Sequence, residues 1–366
     1  MSEKRDRHPG SFFVRGEKAK RARKRRDVRI DNVRGVLILL VVIGHFLLPF
    51  ERTRLVTNLI FVIYSFHMPC FILISGFYAK SVYRDGRFRY GKILQFLWLY
   101  FIFKLLTGLT EGLLSGNIPI IPDLLHESGA PWYLLALSIW YLTLPLFERL
   151  RCRPLLSACA LCAVLLLVVF GKYFVFCKDF LSIDRVLSFA PFFYLGYFLP
   201  KERLAAYVRS DWRRLTDALS FALLLILFFC SYDVLYPFRL VIYGAQYTRY
   251  DASLWDWLWL INLIWYGAAL TLSLGLIGMM PGRRLPVLTM LGQRTLQIYM
   301  LHRPIRDLME YAGFYEQFSA HNKASVALAV LFAVLITLFL GTRPVSFLFG
   351  WIRTAPDSLL KKCGAV

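Results

Sequence analysis

Residues 29–50 read RIDNVRGVLILLVVIGHFLLPF, an apolar segment that two polar side chains, Arg34 and His45, interrupt. Eleven residues make about three turns of an α-helix, since the period is about 3.6 residues. Arg34 and His45 therefore share one face of the predicted helix, separated by roughly 16 Å along its axis. A cation and an imidazole are costly within a bilayer, so this face predicts a functional site in a membrane protein.

The composition of the whole chain is that of a multi-pass membrane protein. Of its 366 residues, 58% are hydrophobic, and the mean hydropathy is +0.53. Apolar runs of roughly 17 to 25 residues, the length that spans a bilayer as a helix, recur along the chain. We therefore predict an all-α, polytopic bundle in the cytoplasmic membrane, without a second soluble domain.

The basic residues are distributed as a membrane topology requires. Most of the 44 Lys and Arg residues, which give a net charge of +21, lie in alternate connections between the apolar runs. The positive-inside rule places these connections, and both termini, in the cytoplasm. This distribution argues against nucleic-acid binding and predicts contact of the basic N-terminal arm with anionic lipid. The seven Cys residues include one CxxC pair, Cys159 and Cys162, within the predicted fifth span. No second Cys or His pair with metal-type spacing accompanies it, so no metal site is predicted.

We predict three regions and ten spans. Residues 1–28 are a disordered basic cytoplasmic arm, residues 29–350 a ten-helix membrane domain, and residues 351–366 a short cytoplasmic tail. A cleaved signal peptide is disfavoured, because Pro49, Phe50 and charged residues follow the first apolar run instead of a small-residue cleavage site. The predicted spans are 35–50, 55–79, 93–113, 131–147, 155–173, 183–199, 215–231, 255–280, 287–302 and 324–341.

The second span carries a histidine beside a proline. Pro69 leaves the carbonyl of Ser65 without its helical donor, which kinks the helix and lets His67 face a cavity. The alternative is a histidine that hydrogen-bonds to a neighbouring helix and only stabilises packing. The residues themselves leave these two interpretations about even.

Other spans add more cations. Lys104 lies near the middle of the third span, too deep to snorkel easily, and is expected to face the bundle interior. Arg294 lies within the ninth span, which ends at His302. Asp31 is close enough to Arg34 on the first helix to form an ion pair. Hardly any span contributes a carboxylate, which a cation-coupled carrier would need. The basic interior instead favours a protein that binds an anionic ligand from the cytoplasm.

Four motifs in chain order resemble acyltransferase family 3, in its fucose 4-O-acetylase-like branch. They are RGVLILLVVIGH (34–45, preceded by Ile30-Asp31), FHMPCFILISGF (66–77), PWYLLAL (131–137) and LGQRTLQIYMLH (291–302). The resemblance covers nearly the whole chain. Two departures are Cys70, where a bulkier apolar residue is usual, and Gln293-Arg294, where a basic residue is expected first and often Asn second.

The resemblance implies a membrane-bound O-acyltransferase of glycans. Its donor would be acetyl-CoA, or another acyl-CoA, on the cytoplasmic side, and its acceptor a hydroxyl of an extracytoplasmic or lipid-linked sugar. Arg34 at the inner end would hold an anionic group of the donor. His45 at the outer end would act as a general base or would carry the acyl group itself. Further candidates for substrate binding or oxyanion stabilisation, by residue type only, are His67, Lys104, Arg294, Tyr299 and His302.

Two other classes of protein are alternatives to an enzyme. A transporter or flippase of a glycan intermediate would use the basic interior as its path and would need no acyl-CoA. A non-catalytic scaffold of a polysaccharide-synthesis complex would tolerate single polar substitutions. Without the resemblance, the enzyme and the transporter are about equally favoured, and with it the enzyme leads. The acceptor sugar, the acyl group and the oligomeric state are not given by the sequence.

Overall fold

The computed structural model describes residues 27–50, 53–84, 87–116, 123–127, 129–174, 179–316 and 322–362. The predicted basic arm, residues 1–28, falls outside the described residues except for its last two.

The predicted all-α membrane bundle is confirmed. The described helices are α1 (Val28–Leu47), α2 (Arg54–Ala79), α3 (Gly91–Ser115), α4 (Trp132–Arg151), α5 (Pro154–Gly171), α6 (Ile183–Phe198), α7 (Lys201–Arg209), α8 (Trp212–Cys230), α9 (Arg239–Ile242), α10 (Trp255–Met279), α11 (Pro286–Gln293), α12 (Thr295–Tyr311), α13 (Lys323–Leu340) and α14 (Arg343–Lys362). Two short antiparallel strands, β1 (Tyr83–Arg84) and β2 (Arg87–Phe88), join α2 to α3.

Within the described ranges, 7 helical segments are long and apolar enough to cross a membrane. They are Val28–Phe50, Arg54–Val82, Gly91–Leu113, Pro154–Gly171, Trp212–Ile242, Ala252–Met279 and Lys323–Leu340. The predicted spans 131–147 and 183–199 coincide with α4, which ends in charged residues, and with α6, which has 16 residues. Ten spans and cytoplasmic termini therefore stay predictions.

The predicted ninth span is not one helix, and this expectation was wrong. The chain leaves helical geometry at Arg294 (φ −124°, ψ 19°), which separates α11 from α12. At this break, the Arg294 guanidinium donates a hydrogen bond to the carbonyl of Gly341 just beyond α13. The predicted tail also differs in form, since α14 continues through residue 351 to Lys362.

The first helix starts where its sequence provides a cap. The carboxylate of Asp27 accepts hydrogen bonds from the backbone N–H groups of Arg29 and Ile30, as an N-cap residue does. Asn32 in the next turn donates to the carbonyls of Pro281 (3.0 Å) and Arg283 (2.9 Å) in the α10–α11 connection. These bonds fix the end of α1 that carries Arg34.

Two reciprocal pairs of glycines set the closest helix contacts. A Cβ atom on Gly35 of α1 would collide with the backbone carbonyl of Leu288, and one on Gly292 of α11 with that of Asp31. Gly76 of α2 and Gly196 of α6 meet the backbones of α6 and α2 in the same way. Small residues allow such backbone approach, and in membranes close packing replaces the hydrophobic effect as the force that joins helices. The tightest pairs are accordingly α1 with α11 and α2 with α6.

Replacing Gly35 with Ala is expected to destabilise the protein by about 1–3 kcal/mol, the usual cost of overpacking a core. The measurement is the thermal unfolding midpoint of the detergent-purified protein. Gly267→Ala is the matched control, because a Cβ atom there has no neighbour within 4 Å. Equal midpoints for the two variants would contradict the close packing of α1 on α11.

The proline in α2 behaves as the sequence predicts. Pro69 leaves the carbonyl of Ser65 without a helical donor, and the indole Nε1 of Trp265 on α10 donates to that carbonyl at 3.2 Å. A neighbouring helix thus satisfies the freed group, as is typical of membrane helices with an internal proline. The bond holds α10 against α2 at the depth of His67.

Candidate functional site

One face of α1 lines a cavity between helices of the described bundle. The cavity has a volume of about 220 Å³ and lies between α1, α2, α3, α4 and α12. Its lining residues are Arg34, Ile38, Val41, Met68, Phe71, Ser75, Tyr78, Lys92, Phe96, Tyr133, Leu137, Tyr141, Thr295, Leu296 and Tyr299. We call it the inner cavity. It is amphipathic, with two cations and four tyrosines among aliphatic and aromatic side chains.

Arg34 lies in the inner cavity and has no carboxylate partner among the residues that the structure describes. Its guanidinium stands over the ring of Tyr78 at 5.0 Å from the centroid, a cation–π contact. The predicted ion pair with Asp31 is not formed, since the Asp31 carboxylate instead accepts a hydrogen bond from Gln293 of α11 at 3.1 Å. The reason is the close packing of α1 on α11, which places Gln293 beside Asp31. The Arg34 charge therefore remains available to an anion.

Hydroxyl groups line the wall opposite Arg34. The hydroxyls of Ser75 and Tyr133 are hydrogen-bonded to each other at 2.6 Å and connect α2 to α4. The Tyr299 hydroxyl donates to the carbonyl of Ala130, and its ring contacts that of Tyr133 with centroids 5.7 Å apart. These contacts hold Tyr299, a candidate from the sequence, in the cavity wall.

His45 lies beyond the inner cavity on the same face of α1 as Arg34, Ile38 and Val41. Its ring centroid is 5.1 Å from that of His302 on α12. The ring of Tyr64 on α2 meets it edge-on at 6.4 Å. His45 Nδ1 is buried and has no hydrogen-bond partner among the described residues. The structure thus brings together two of the predicted imidazoles, which we call the imidazole pair.

Backbone contacts fix the tautomers of the other two histidines. Nδ1 of His302 lies 3.0 Å from the carbonyl of Ile298, and Nδ1 of His67 lies 2.7 Å from that of Ile63. A carbonyl can only accept, so Nδ1 carries the proton in both rings and Nε2 keeps the lone pair. His302 Nε2 is buried without a partner and is therefore free to accept a proton.

His67 lies beside the imidazole pair and outside the inner cavity. Its side chain is buried, and its ring contacts that of Tyr64 at 4.8 Å, which in turn contacts His45. His67 is therefore connected to His45 through this intervening ring. In the described part of the chain, no group of three or more His, Cys, Asp or Glu side chains has the arrangement of a metal site.

Lys104 and Arg294, two other candidates, lie elsewhere. Lys104 forms an ion pair with the buried Glu127 at 3.2 Å and donates to the carbonyl of His126 at 3.1 Å. Burial raises the pKa of Glu127, and Lys104 opposes that shift. Arg294 binds the carbonyl of Gly341. Both cations are engaged with the protein, so the structure does not place them with the groups around Arg34 and His45.

Several residues near the candidate groups had not been singled out. Lys92 and Tyr78 lie in the inner cavity, and Arg306 follows His302 by one turn of α12. The sequence signal for Arg306 was its spacing of four residues from His302, which puts both on one helix face. Lys92 opens α3, and only the packing of α3 beside α1 brings it near Arg34.

Comparisons with known proteins identify the family of this chain. A family model described as "Acyltransferase domain", that of acyltransferase family 3, matches residues 27–343. The nodulation protein NolL of Sinorhizobium fredii (strain NBRC 101917 / NGR234) is 31% identical over 193 residues, covering 47% of this chain and 48% of that protein. NolL of Mesorhizobium japonicum (strain LMG 29417 / CECT 9101 / MAFF 303099) is 29% identical over 195 residues, covering 47% of each chain.

The match spans about half the length of these curated relatives. No solved structure matches the chain significantly. The family match is decisive by its extent, because it includes α1 with Arg34 and His45, the walls of the inner cavity and α12 with His302. The chain belongs to acyltransferase family 3.

Proposed function

We propose that this protein is an O-acyltransferase of the cytoplasmic membrane. It moves an acetyl group, or another acyl group, from cytoplasmic acyl-CoA to a hydroxyl of an extracytoplasmic or lipid-linked glycan. The observation that carries the proposal is the continuous face of α1, with the Arg34-lined cavity at one end and the imidazole pair at the other. The acceptor class follows from the family resemblance of the sequence motifs.

The charge of the inner cavity supports an anionic donor. Arg34 has no carboxylate partner in the described bundle, and Lys92 adds a second cation to the lining. A guanidinium and an ammonium together suit the phosphate groups of coenzyme A. The apolar side chains farther along the face, Val41, Met68 and Phe71, suit the less polar pantetheine arm. The thioester then arrives near the imidazole pair.

The chemistry is general base catalysis at the imidazole pair. His45 removes the proton from the acceptor hydroxyl as the hydroxyl oxygen forms a bond to the thioester carbonyl carbon. The carbon–sulfur bond then breaks, the ester leaves with the glycan, and the proton passes from His45 to the departing thiolate. His302, with a lone pair on Nε2 and its ring 5.1 Å from His45, is placed to share this proton.

A covalent route uses the same residues. His45 attacks the thioester carbon, releases coenzyme A and holds the acyl group until the acceptor hydroxyl takes it. The direct route requires donor and acceptor to be bound together, whereas the covalent route permits one to leave before the other binds. The two routes therefore differ in whether acyl-protein accumulates when the acceptor is absent.

The decisive experiment compares cell-envelope glycans with and without the gene by mass spectrometry. We expect the glycans of the gene-bearing cells to carry an additional acyl mass. Membranes containing the protein are expected to transfer label from acyl-labelled acetyl-CoA to glycan. Movement of unmodified glycan across the membrane without acyl-CoA, together with no acyl mass difference, would support the transporter and contradict the proposal.

A further inference from the structure

Buried polar atoms without partners gather on the far side of the imidazole pair from the inner cavity. They are His45 Nδ1, His302 Nε2, Arg306 Nε and the hydroxyl of Tyr315, none of which has a hydrogen-bond partner among the described residues. His302 is 0% and Arg306 6% exposed. Proteins rarely leave buried polar atoms unpaired, since each loses its hydrogen bonds to water. We call this set the outer polar cluster.

Pairwise contacts and interactions connect the four groups. Arg306 lies one turn beyond His302 on the same face of α12, and its charge is close enough to act on the His45 imidazole. The ring of Tyr315 contacts Phe50, five residues beyond His45, with centroids 5.5 Å apart. The Arg306 guanidinium lies beside Tyr315. The cluster therefore continues, past the imidazole pair, the face that starts at Arg34.

The charges of this region are balanced, unlike those of the inner cavity. Arg306 forms ion pairs with Asp307 (3.3 Å) and with Glu310. Arg303 pairs with Asp307 at 3.0 Å. Two cations facing two carboxylates give little net charge, so an anion has no strong preference for the site. A neutral ligand that both donates and accepts hydrogen bonds fits this combination of groups.

Sugar hydroxyls are such a ligand. Each hydroxyl can donate to a carboxylate or an imidazole Nε2 while it accepts from a guanidinium or a phenol. Burial raises the pKa of Tyr315 to about 12, so its hydroxyl stays protonated at physiological pH and can donate. Arg306 Nε and the Tyr315 hydroxyl lie close together, and among the described residues neither makes a hydrogen bond of good geometry, so both can donate to a ligand. His302 Nε2 is an acceptor without a partner among the same residues.

We propose that the outer polar cluster is the acceptor subsite, which binds a neutral sugar unit through Arg306 and Tyr315 and presents one of its hydroxyls to the imidazole pair. The inference rests on the proposed function, because it assigns the acceptor of that reaction to a place. Donor and acceptor then approach the imidazole pair from opposite ends of α1 and α12. Arg306 and Tyr315 bind oxygens of the sugar that do not react.

The test is steady-state kinetics in membranes, with acetyl-CoA as donor and the glycan fraction from cells lacking the gene, deacylated by mild base, as acceptor. Tyr315→Phe is expected to raise the acceptor KM about three- to tenfold, the effect of one lost hydrogen bond. Arg306→Lys is expected to raise it about tenfold, because lysine keeps the charge but loses the Nε–H donor and the planar guanidinium. The KM for acetyl-CoA should stay unchanged in both variants.

Tyr311→Phe is the matched control, since Tyr311 is the last residue of α12 and is 63% exposed. It should leave both KM values unchanged. The amount of folded protein is checked by size-exclusion chromatography. If Arg306→Lys does not fold, Tyr315→Phe decides alone, because it removes a single oxygen atom. An unchanged acceptor KM in a folded Tyr315→Phe variant overturns the acceptor subsite and leaves the proposed function standing.

A separate binding measurement keeps the two proposals distinguishable. The purified full-length protein is titrated with the same glycan fraction, and binding is followed by intrinsic tryptophan fluorescence. If the wild-type protein transfers no acyl group, the proposed function fails, but weaker binding by Tyr315→Phe than by Tyr311→Phe still supports the subsite. Equal binding by these two variants, or no binding by the wild-type protein, overturns it.

Discussion

Replacing His45 with Ala is expected to reduce acyl transfer by roughly 10²- to 10⁴-fold, the usual contribution of a general base. The reason is position, because His45 shares one face of α1 with Arg34 and its ring lies 5.1 Å from that of His302. The measurement is transfer of label from acyl-labelled acetyl-CoA to glycan in membranes with equal amounts of folded protein. If His45 carries the acyl group itself, the loss should be at least as large.

His126→Ala is the matched control for this substitution. The His126 imidazole is exposed and pairs with Asp123 at 2.9 Å, away from the inner cavity and the imidazole pair. It should retain full activity. Full activity of His45→Ala would contradict the mechanism. Incubation with labelled acetyl-CoA and no acceptor then separates the two routes, because only the covalent one labels the wild-type protein and loses that label in His45→Ala.

Replacing Arg34 with Gln is expected to raise the KM for acetyl-CoA about ten- to a hundredfold, the value of a charge-assisted hydrogen bond in a partly buried site. The acceptor KM should change little, because Arg34 lies at the other end of the reactive face. Arg34→Lys should recover part of the loss, since it keeps the charge but not the planar guanidinium. The measurement is the initial rate of transfer against donor concentration.

Arg214→Gln is the matched control for Arg34→Gln. The Arg214 side chain on α8 is 80% exposed and lies 3.9 Å from Asp211, so its removal leaves the inner cavity intact. The KM for acetyl-CoA should equal that of the wild-type protein. An unchanged dependence on donor concentration in Arg34→Gln would show that Arg34 does not bind the donor.

Helical periodicity was sufficient to predict the main axis of the candidate site. The spacing between Arg34 and His45 placed both side chains on one face of α1, and hydropathy placed that face inside a membrane bundle. The family was also predicted correctly from its motifs, and the family match confirms it. The catalytic and binding roles of the individual residues stay predictions until the variants are measured.

Contacts between distant segments could not be derived in this way. Lys104 was expected to face the bundle interior as a site residue, but the segment after α3 brings Glu127 beside it. Arg294 was expected within the ninth span, but it lies at the break between α11 and α12 and donates to the carbonyl of Gly341. Periodicity specifies the face of a helix on which a side chain lies. It does not specify which other helix packs there.

For the same reason, the sequence did not predict which residues lie beside Arg34. The sequence offered Asp31, three residues earlier on α1, as the obvious counter-ion. In the structure, the Asp31 carboxylate accepts a hydrogen bond from Gln293, and Lys92 of α3 lines the same cavity as Arg34. Arg34 therefore lies in one cavity with a second cation, Lys92, and is not paired with Asp31. Two cations in one cavity support the proposal of a polyanionic donor.

The reciprocal glycine contacts determine which wall of the inner cavity can move when a long ligand enters. Backbone contact locks α1 to α11 and α2 to α6, and the Ser75–Tyr133 hydrogen bond ties α4 to α2. At Gly91, the first residue of α3, a Cβ atom would meet no neighbour within 4 Å. The outward side chains of this helix, including Leu94 and Leu97, are exposed. We therefore expect α3 to move when the inner cavity widens. Helix α14 lies behind α3, because the indole N–H of Trp98 donates a hydrogen bond to the carbonyl of Ile352. If the inner cavity binds acyl-CoA as proposed, the packing of α14 behind α3 would therefore control how easily the donor enters.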